Sequence, residues 1–292
     1  NLNMKFLNKY VLSIFLSVSL STFSIVAVDL ENGLVGSAGA SCIAGSIIIS
    51  DIHPGVGAIH TQSYWSGYNQ IMASDMMDLG LNPEEIIDYI IENDVSNNPS
   101  IRQYGIVDLY DGGRSAAFTG SNCMDYKGHI LGPNYAIQGN ILLDESILLS
   151  IEESFNQTVG TFTDKLMAAL QGANVPGADS RCLSNNTSSL SAFIRVAKPL
   201  DEENNYYLDL NVNNTSNENE PIDLLQDLYN QWSLEQDPNG DISGDGNLDI
   251  LDIIIIIDFI LEEIFDINGD MNFDGGLNIQ DIVLILNFIL GR

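Results

Sequence analysis

The stretch Ser19-Leu20-Ser21-Thr22-Phe23-Ser24-Ile25-Val26-Ala27-Val28-Asp29 joins a leader-like segment to an alternating, β-branched run that predicts the first strand of a folded domain. If a leader is removed after Ser21, Thr22 becomes a free N-terminus. A terminal threonine carries a nucleophile and a base on one residue, because its α-amino group, with an ordinary pKa of roughly 7.7–8.0, can accept the proton of its own hydroxyl. The stretch therefore marks both the predicted start of the fold and a candidate site of chemistry.

The residues before this stretch have the pattern of a secretory signal peptide. Met4 is the predicted start, and a short basic segment and the apolar run Tyr10–Val18 follow it. That run is shorter than the ~20 residues that a membrane span needs. Small residues at Ser19 and Ser21 favour a cut before Thr22, and a similar small pair that ends at Ser19 is the alternative. We expect a secreted, extracellular protein without a membrane span.

The composition limits the partners of the protein. Its 292 residues include 40 acidic and 10 basic side chains, a formal charge of −30, which argues against nucleic acid or an anionic membrane surface as a partner. A hydrophobic share of 45% is ample for a buried core. Three cysteines in an exported chain allow one disulfide and leave one thiol.

The order of the predicted elements indicates an α+β fold. Runs of strands are followed by helix pairs and then by strands again, so helices are expected to cover a mostly antiparallel sandwich. Ser46–Ile49 is among the predicted strands, Asp111-Gly112-Gly113 is a predicted hairpin turn, and Asn82 is a predicted helix cap. The predicted organisation is a signal peptide at residues 1–21, a first domain at 22–232, a linker at 233–240 and a second domain at 241–292.

The last fifty residues contain two acidic repeats. From Asp241 onward eleven residues are acidic, and Arg292 is the one basic residue. Each repeat places oxygen-bearing side chains at the spacing of a twelve-residue calcium loop, with glycine at position six for the sharp turn. The predicted ligands of two calcium ions are Asp241, Ser243, Asp245, Asn247, Asp249 and Asp252 in the first loop and Asp270, Asn272, Asp274, Gly276, Asn278 and Asp281 in the second.

Six blocks of the first domain resemble, in order and spacing, the domain of unknown function 1028 family over about residues 22 to 232. The blocks are Thr22-Phe23-Ser24-Ile25-Val26-Ala27-Val28-Asp29, Gly55-Val56-Gly57-Ala58-Ile59, Thr119-Gly120-Ser121-Asn122-Cys123, Gly128-His129, Tyr135-Ala136-Ile137-Gln138-Gly139-Asn140 and Gly177-Ala178-Asp179-Ser180-Arg181.

This resemblance implies a four-layer αββα sandwich like that of the N-terminal nucleophile hydrolases, a superfamily that cleaves amide bonds. By motif position it implies that Thr22 is nucleophile and base, that Asn140 and Gln138 are oxyanion or substrate donors, and that Asp179 and Arg181 are an orienting pair. The substrate is not implied. A purely structural ion pair is the equal alternative for Asp179 and Arg181.

Two cysteines depart from the pattern of the family. Cys42 stands where members commonly carry a basic residue, and Cys182 stands where they commonly carry glycine. Against the family, this pair suggests a Cys42–Cys182 disulfide that leaves Cys123 free. The lost basic residue weakens the expectation of catalysis if that charge normally lowers the pKa of the nucleophile.

The acidic repeats resemble a type I dockerin, the calcium module that attaches extracellular proteins to cohesin domains. The resemblance implies a cohesin-like partner, although Ile250-Leu251 and Ile279-Gln280 replace the small hydroxyl residues that usually meet cohesin. The sequence thus favours a secreted amidase-like hydrolase with a dockerin-like tail. The alternative is a non-catalytic secreted binding or assembly module, with an association with polysaccharide breakdown as a further idea.

Overall fold

A computed structural model describes residues 19–20, 22–216, 219–236, 240–245, 247–262, 264–272 and 274–291. Most of the predicted leader, and Ser21 beside the predicted cut, lie outside these residues. Contacts divide the chain into two compact units, Asn1–Gln226 and Asp227–Arg292. Of the helices that the structure describes, none combines the length and the hydrophobicity that a membrane span requires.

In the described residues, runs of strands are separated by pairs of helices. The strands are β1 (Ser19–Leu20), β2 (Thr22–Asp29), β3 (Leu34–Ser41), β4 (Ser50–His53), β5 (Gly57–Tyr64), β6 (Arg102–Asp108), β7 (Arg114–Thr119), β8 (Gly128–Gly132), β9 (Tyr135–Asn140), β10 (Ser191–Ala197) and β11 (Leu208–Val212). The helices are α1 (Gly67–Asp78), α2 (Pro83–Glu92), α3 (Ser146–Gln157), α4 (Phe162–Gly172), α5 (Pro221–Gln236), α6 (Ile250–Glu262) and α7 (Ile279–Ile289). The α+β class is confirmed.

The first unit contains two antiparallel sheets. One has the order β1-β5-β6-β7, with β4 also paired to β5, and the other has the order β11-β10-β3-β2-β9-β8. Strands β2 and β9 contact β5 and β6, so the sheets face each other. Helices α1 and α2 contact the first sheet, and α3 and α4 contact the second.

Strand β2 shows how the sequence builds the layer between the sheets. Because side chains alternate along a strand, the even-numbered residues of β2 face the other sheet, and Phe23 and Ile25 face the opposite side. Val26 and Val28 belong to an apolar cluster that includes Val107 of β6. At the other end of the same face, the hydroxyl of Ser24 meets the polar side chains of the opposite sheet. The layer is therefore apolar at one end and polar at the end where β2 begins.

Strands β2 and β3 form an antiparallel hairpin, and β3 is rich in small residues. A Cβ atom on Gly36 would lie 2.4 Å from Cδ1 of Leu166 and 2.6 Å from Cε1 of Phe162, both in α4. The absence of a side chain thus lets the helix approach the sheet closely. Asn82 also caps α2 as predicted, because Asn82 and Glu85 form a reciprocal capping box.

The predicted strand at Ser46–Ile49 is wrong. These residues form a short 3-10 helix that follows Gly45, whose φ is 75°. Ile49 is buried against Phe193, whereas Ile48 is exposed. A short apolar run does not distinguish a strand from a helical turn by periodicity alone, and here the left-handed glycine starts the turn.

The second unit is small and helical. Ile253 and Ile256 of α6 pack with Ile285 of α7, and partly buried apolar side chains from the two acidic loops complete this core. The apolar run in α6 thus packs one repeat against the other.

Candidate functional site

The candidate site lies where β2 begins. Thr22 pairs with Asn140 of β9, and Ser24 pairs with Gln138 in the same register. All four residues are fully buried. The structure thus brings together three of the residues that the sequence predicts for the site, Thr22, Gln138 and Asn140.

Two glutamines of the opposite sheet complete a hydrogen-bonded group with these residues. Nε2 of Gln62 donates to the carbonyl oxygen of Thr22 at 3.3 Å and to Oε1 of Gln103 at 2.9 Å. Oε1 of Gln62 accepts from the hydroxyl of Ser24 at 2.7 Å, and Oε1 of Gln103 accepts from Nδ2 of Asn140 at 3.0 Å. We call Ser24, Gln62, Gln103, Gln138 and Asn140 the amide network. It fixes the backbone of Thr22 from across the sheets.

The amide network continues toward the surface through Gln103. Its Nε2 lies 2.8 Å from the carbonyl oxygen of Gly139 and 2.9 Å from Oγ1 of Thr119. Oγ1 of Thr119 in turn lies 2.9 Å from Nδ1 of His129 in β8, the last strand of its sheet. Since the Thr119 hydroxyl accepts from Gln103, it can donate to His129. Burial lowers the pKa of His129, which favours the neutral, accepting imidazole.

His60 holds the other side of the amide network. Nε2 of Gln138 donates to Nδ1 of His60 at 3.1 Å, and Nε2 of His60 lies 2.6 Å from the hydroxyl of Ser37. The Ser37 hydroxyl is also 2.7 Å from the hydroxyl of Ser50. Burial lowers the pKa of His60 to about 3, so the ring is neutral and its Nε2–H donates to Ser37. Because the Nε2–H of His60 donates to Ser37, the ring cannot accept the proton of the Ser37 hydroxyl, so this serine–histidine pair is structural rather than nucleophilic.

A glycine makes room for the amide network. Gly105 of β6 lies opposite Gln138, and a Cβ atom on it would stand 1.8 Å from Oε1 of Gln138. That carboxamide oxygen is buried and has no hydrogen-bond partner among the described residues. The close approach therefore requires glycine at this position of an inner strand.

Two residues at this end of the sheets have left-handed backbones. Ser63 has a φ of 68° and follows Gln62, and Ile141 has a φ of 56° and follows Asn140. The left-handed conformation is unfavourable for a β-branched residue such as Ile141, and non-glycine residues of this kind cluster at functional sites. Both strands thus leave their regular path directly after an amide of the network.

The predicted orienting pair lies at the same end of the second sheet. Arg181 donates to Asp179 through Nη2 at 2.8 Å and through Nε at 3.1 Å. The Asp179 carboxylate also accepts from the backbone N–H of Cys42 at 2.7 Å. Cys42 follows β3, the neighbour of β2, so the pair stands close to the start of β2 in the sheet. Asp179 is fully buried and Arg181 is partly exposed.

The disulfide suggested by the family resemblance is confirmed. Cys42 and Cys182 are bonded, with a Cα–Cα distance of 5.7 Å. Cys123 is the free, buried cysteine. Burial raises the pKa of the Cys123 thiol, which makes it unreactive at neutral pH.

Sequence reasoning missed Gln62 and Gln103. A signal for them exists, because in β5 and β6 these polar residues occupy positions with the same parity as inward-facing Ala58 and Val107. A polar residue at a core position requires a buried hydrogen-bond partner. The sequence does not show which partner that is.

The two acidic loops of the second unit have the same internal hydrogen bonds. The carboxylate at position twelve accepts from the backbone N–H groups of positions three and nine in both loops, at 3.0 and 2.9 Å for Asp252 and at 3.3 and 2.9 Å for Asp281. The carboxylate at position one accepts from the N–H of position five, at 3.2 Å for Asp241 and 3.1 Å for Asp270. Asp252 and Asp281 are fully buried.

Hydrogen bonds keep loop carboxylates ionised. Burial raises the pKa of Asp252, but the N–H groups of Asp249 and Ser243 outweigh it and the net pKa is lowered. Hydrogen bonding by Asn272 lowers the pKa of Asp274. Within the described parts of the chain, no three His, Cys, Asp or Glu side chains converge into a group that could hold a metal ion. The predicted ligand sets include serine, asparagine and backbone oxygens as well.

The fold and the site define an α+β protein of two facing sheets, with a threonine at the head of an inner strand and buried amides around it. The chain belongs to a family of unknown function, DUF1028, whose model matches residues 22–225. It is similar to protein SPO2555 from Silicibacter pomeroyi, whose crystal structure is described with the same family. The two are 27% identical with a TM-score of 0.60, over 73% of this chain and 89% of that chain. No curated protein matches the chain.

The neutral state of His60 predicts a specific acid sensitivity. Its folded pKa of about 3 lies below the ordinary value of 6.5, so between these values the unfolded chain binds more protons and stability falls as pH falls. We expect His60 to account for a loss of about 3 kcal/mol in unfolding free energy between pH 7 and pH 4. In His60→Gln that part of the loss should vanish, as measured by urea unfolding followed by circular dichroism at each pH.

The matched control is His53→Gln. Burial lowers the pKa of His53, but hydrogen bonds and charges from Asp51 and Asp78 outweigh it and raise the pKa overall. Removing His53 should therefore leave the acid loss as large or larger. Equal pH slopes for the native chain and a folded His60→Gln variant would contradict the assignment.

Proposed function

We propose that the protein is a secreted hydrolase of the N-terminal nucleophile type that acts on an amide bond, with Thr22 as nucleophile and base. The observation that carries this proposal is the position of Thr22. It heads an inner strand, Gln62 holds its carbonyl oxygen, and Asn140 is its strand partner. The two facing sheets with helices on their outer faces support the αββα architecture of that superfamily.

The reaction proceeds in two steps, acylation of Thr22 and hydrolysis of the resulting ester. The α-amino group of Thr22 takes the hydroxyl proton while the hydroxyl oxygen bonds to the amide carbon, and the proton passes to the leaving amine as the C–N bond breaks. Water then adds to the ester, its proton returns to the Thr22 oxygen through the α-amino group, and the acid is released. In this scheme the main contribution of the amide network to catalysis is to hold the nucleophile in place.

The amides take different roles in this scheme. Nε2 of Gln138 donates to both Ser24 and His60, which uses both of its hydrogens, so Gln138 is a positioning residue. Asn140 lies directly beside Thr22 in the sheet and is the proposed oxyanion donor. Asp179 and Arg181 are the proposed orienting pair, which the backbone N–H of Cys42 supports.

One observation favours a second function, a non-catalytic secreted binding or assembly module. At Cys42 the Asp179 carboxylate meets a backbone N–H, in the position where the family commonly carries a basic residue. If that charge normally activates the nucleophile, this chain uses the same sheets for binding alone.

We further propose that residues 241–291 form a dockerin-like module with two calcium ions and a cohesin-like partner. Support comes from the matching hydrogen bonds of the two loops and from the buried carboxylates of Asp252 and Asp281. The stretch from Asp241 to Gly291 contains no basic residue that could neutralise its acids. The first ion would be held by Asp241, Ser243, Asp245, Asn247, Asp249 and Asp252, and the second by Asp270, Asn272, Asp274, Gly276, Asn278 and Asp281. Bound calcium would neutralise charge and fix the loops.

The hydrolase proposal predicts that the chain beginning at Thr22 cleaves at least one member of a panel of peptide and non-peptide amides. Thr22→Ala should lower the rate of hydrolysis by about a thousandfold or more, because the variant lacks the hydroxyl that attacks the amide carbon and forms the ester intermediate. Thr22→Ser keeps the nucleophile and should retain measurable activity. Hydrolysis of the same amide by the Thr22→Ala chain at the native rate would contradict the assignment of Thr22 as the nucleophile.

The calcium proposal predicts two ions bound per chain, measured by titration calorimetry after chelator treatment. Asp252→Asn and Asp281→Asn should each remove one ion, because each loses the carboxylate at position twelve of one loop. Calcium at a hundred times its dissociation constant should stabilise the second unit by about 2.7 kcal/mol.

Asp258→Asn is the matched control for this charge change, because Asp258 lies on an exposed part of α6 outside both loops. It should leave two ions bound. A second unit whose circular dichroism and unfolding are unchanged by chelator would refute the calcium assignment.

A further inference from the structure

The residues just before Thr22 occupy the edge of the first sheet. Strand β1 pairs antiparallel with β5, with Ser19 opposite Tyr64 and Leu20 opposite Ser63. Along the rest of that edge β4 pairs with residues 57–60 of β5. The edge of β5 beside the candidate site is therefore covered by the end of the predicted leader.

Removal of the leader would open this edge. If the chain is cut before Thr22, β1 leaves and the backbone of Ser63 and Tyr64 loses its partner strand on that side. An exposed strand edge is a template for pairing with another extended chain, and main-chain hydrogen bonds supply the affinity of such pairing. We call the backbone of Ser63 and Tyr64 that faces β1 the β5 edge.

Hydrogen bonds from Arg102 and from the backbone of Trp65 hold the β5 edge in place. Arg102 of β6 pairs with Ser63 and donates through its guanidinium to the carbonyl oxygen of Tyr64. That guanidinium is buried and bonds through Nε to Asp94 at 2.7 Å. The N–H of Trp65 donates to the carbonyl oxygen of Ser63 at 3.0 Å. A template that is already ordered costs little conformational entropy when a partner strand binds.

Strand β1 ends one residue before Thr22, the residue proposed to react. Ser21 alone separates β1 from Thr22, and its carbonyl carbon is bonded to the Thr22 nitrogen. In an acyl-enzyme the acyl carbon is bonded to the hydroxyl oxygen of the same residue. An acyl chain on Thr22 can therefore follow the path that Ser19 and Leu20 take in this structure.

We propose that the substrate of the hydrolase is an extended peptide that takes the place of β1, pairs antiparallel with Ser63 and Tyr64, and brings its scissile carbonyl to Thr22. This inference rests on the proposed function, for which it names the substrate class. The residues on the amino side of the scissile bond lie on the β5 edge, and recognition there is mainly by backbone, with side chains alternating between the two faces.

The test measures peptide binding apart from catalysis. The full chain beginning at Thr22 and carrying Thr22→Ala is titrated with acetyl-Val-Ser-Leu-Ser-amide, the sequence of residues 18–21. We expect one peptide to bind per chain. The matched control is the same variant beginning at Val18, whose own β1 covers the β5 edge at high effective concentration, and it should bind the peptide at least tenfold more weakly.

Two further peptides test the pairing itself, one N-methylated at Ser19 and one at Leu20. Because antiparallel strands direct alternate N–H groups at the partner, one methylation should weaken binding at least tenfold and the other should have little effect. Equal binding by both methylated peptides, equal binding by the chain beginning at Val18, or no binding at millimolar peptide would each overturn the inference.

The outcome is separable from that of the hydrolase proposal. If the active chain cleaves only non-peptide amides and the Thr22→Ala chain binds no peptide, the substrate class is overturned and the hydrolase stands. If the peptide binds with the expected pattern but no amide is cleaved, the β5 edge is a peptide-binding site and the hydrolase is overturned.

Discussion

The first unit depends on the need of buried amide side chains to find hydrogen-bond partners. Gln62 and Gln103 of one sheet and Gln138 and Asn140 of the other are all buried, and each donates within the layer between the sheets. A buried polar group that loses its partner costs about 1–3 kcal/mol. The sheets are therefore held in one register at this end, and the backbone of Thr22 is held with them.

The two ends of the layer between the sheets contribute to the fold in different ways. Val26, Val28 and Val107 form an apolar end that stabilises the fold by burial and tolerates small changes of shape. The polar end contributes less net stability but specifies geometry, because buried amides that donate to one another permit few arrangements. The Cys42–Cys182 disulfide extends this order to the loop that carries Asp179. The residue proposed to react thus lies near both the amide network and the disulfide.

The parts of the fold that depend on local sequence were predictable. The alternation in β2, the capping box at Asn82 and the spacing of the acidic loops are each encoded within a few residues, and the Cys42–Cys182 bond followed from comparison with a family pattern. The partners of Gln62 were not predictable, because about forty residues separate it from Thr22 and from Gln103. Ser46–Ile49 was assigned wrongly, since the backbone of the preceding glycine rather than the apolar pattern decided its conformation.

We propose that the amide network holds Thr22 as the first residue of a mature, secreted protein. The most direct test is N-terminal sequencing together with the intact mass of the protein recovered outside the cell. We expect a chain that begins with Thr22-Phe23-Ser24 and has a mass consistent with one disulfide. A mature chain that begins at Leu20, or at any residue other than Thr22, would leave the threonine amine blocked or absent and would contradict the claim.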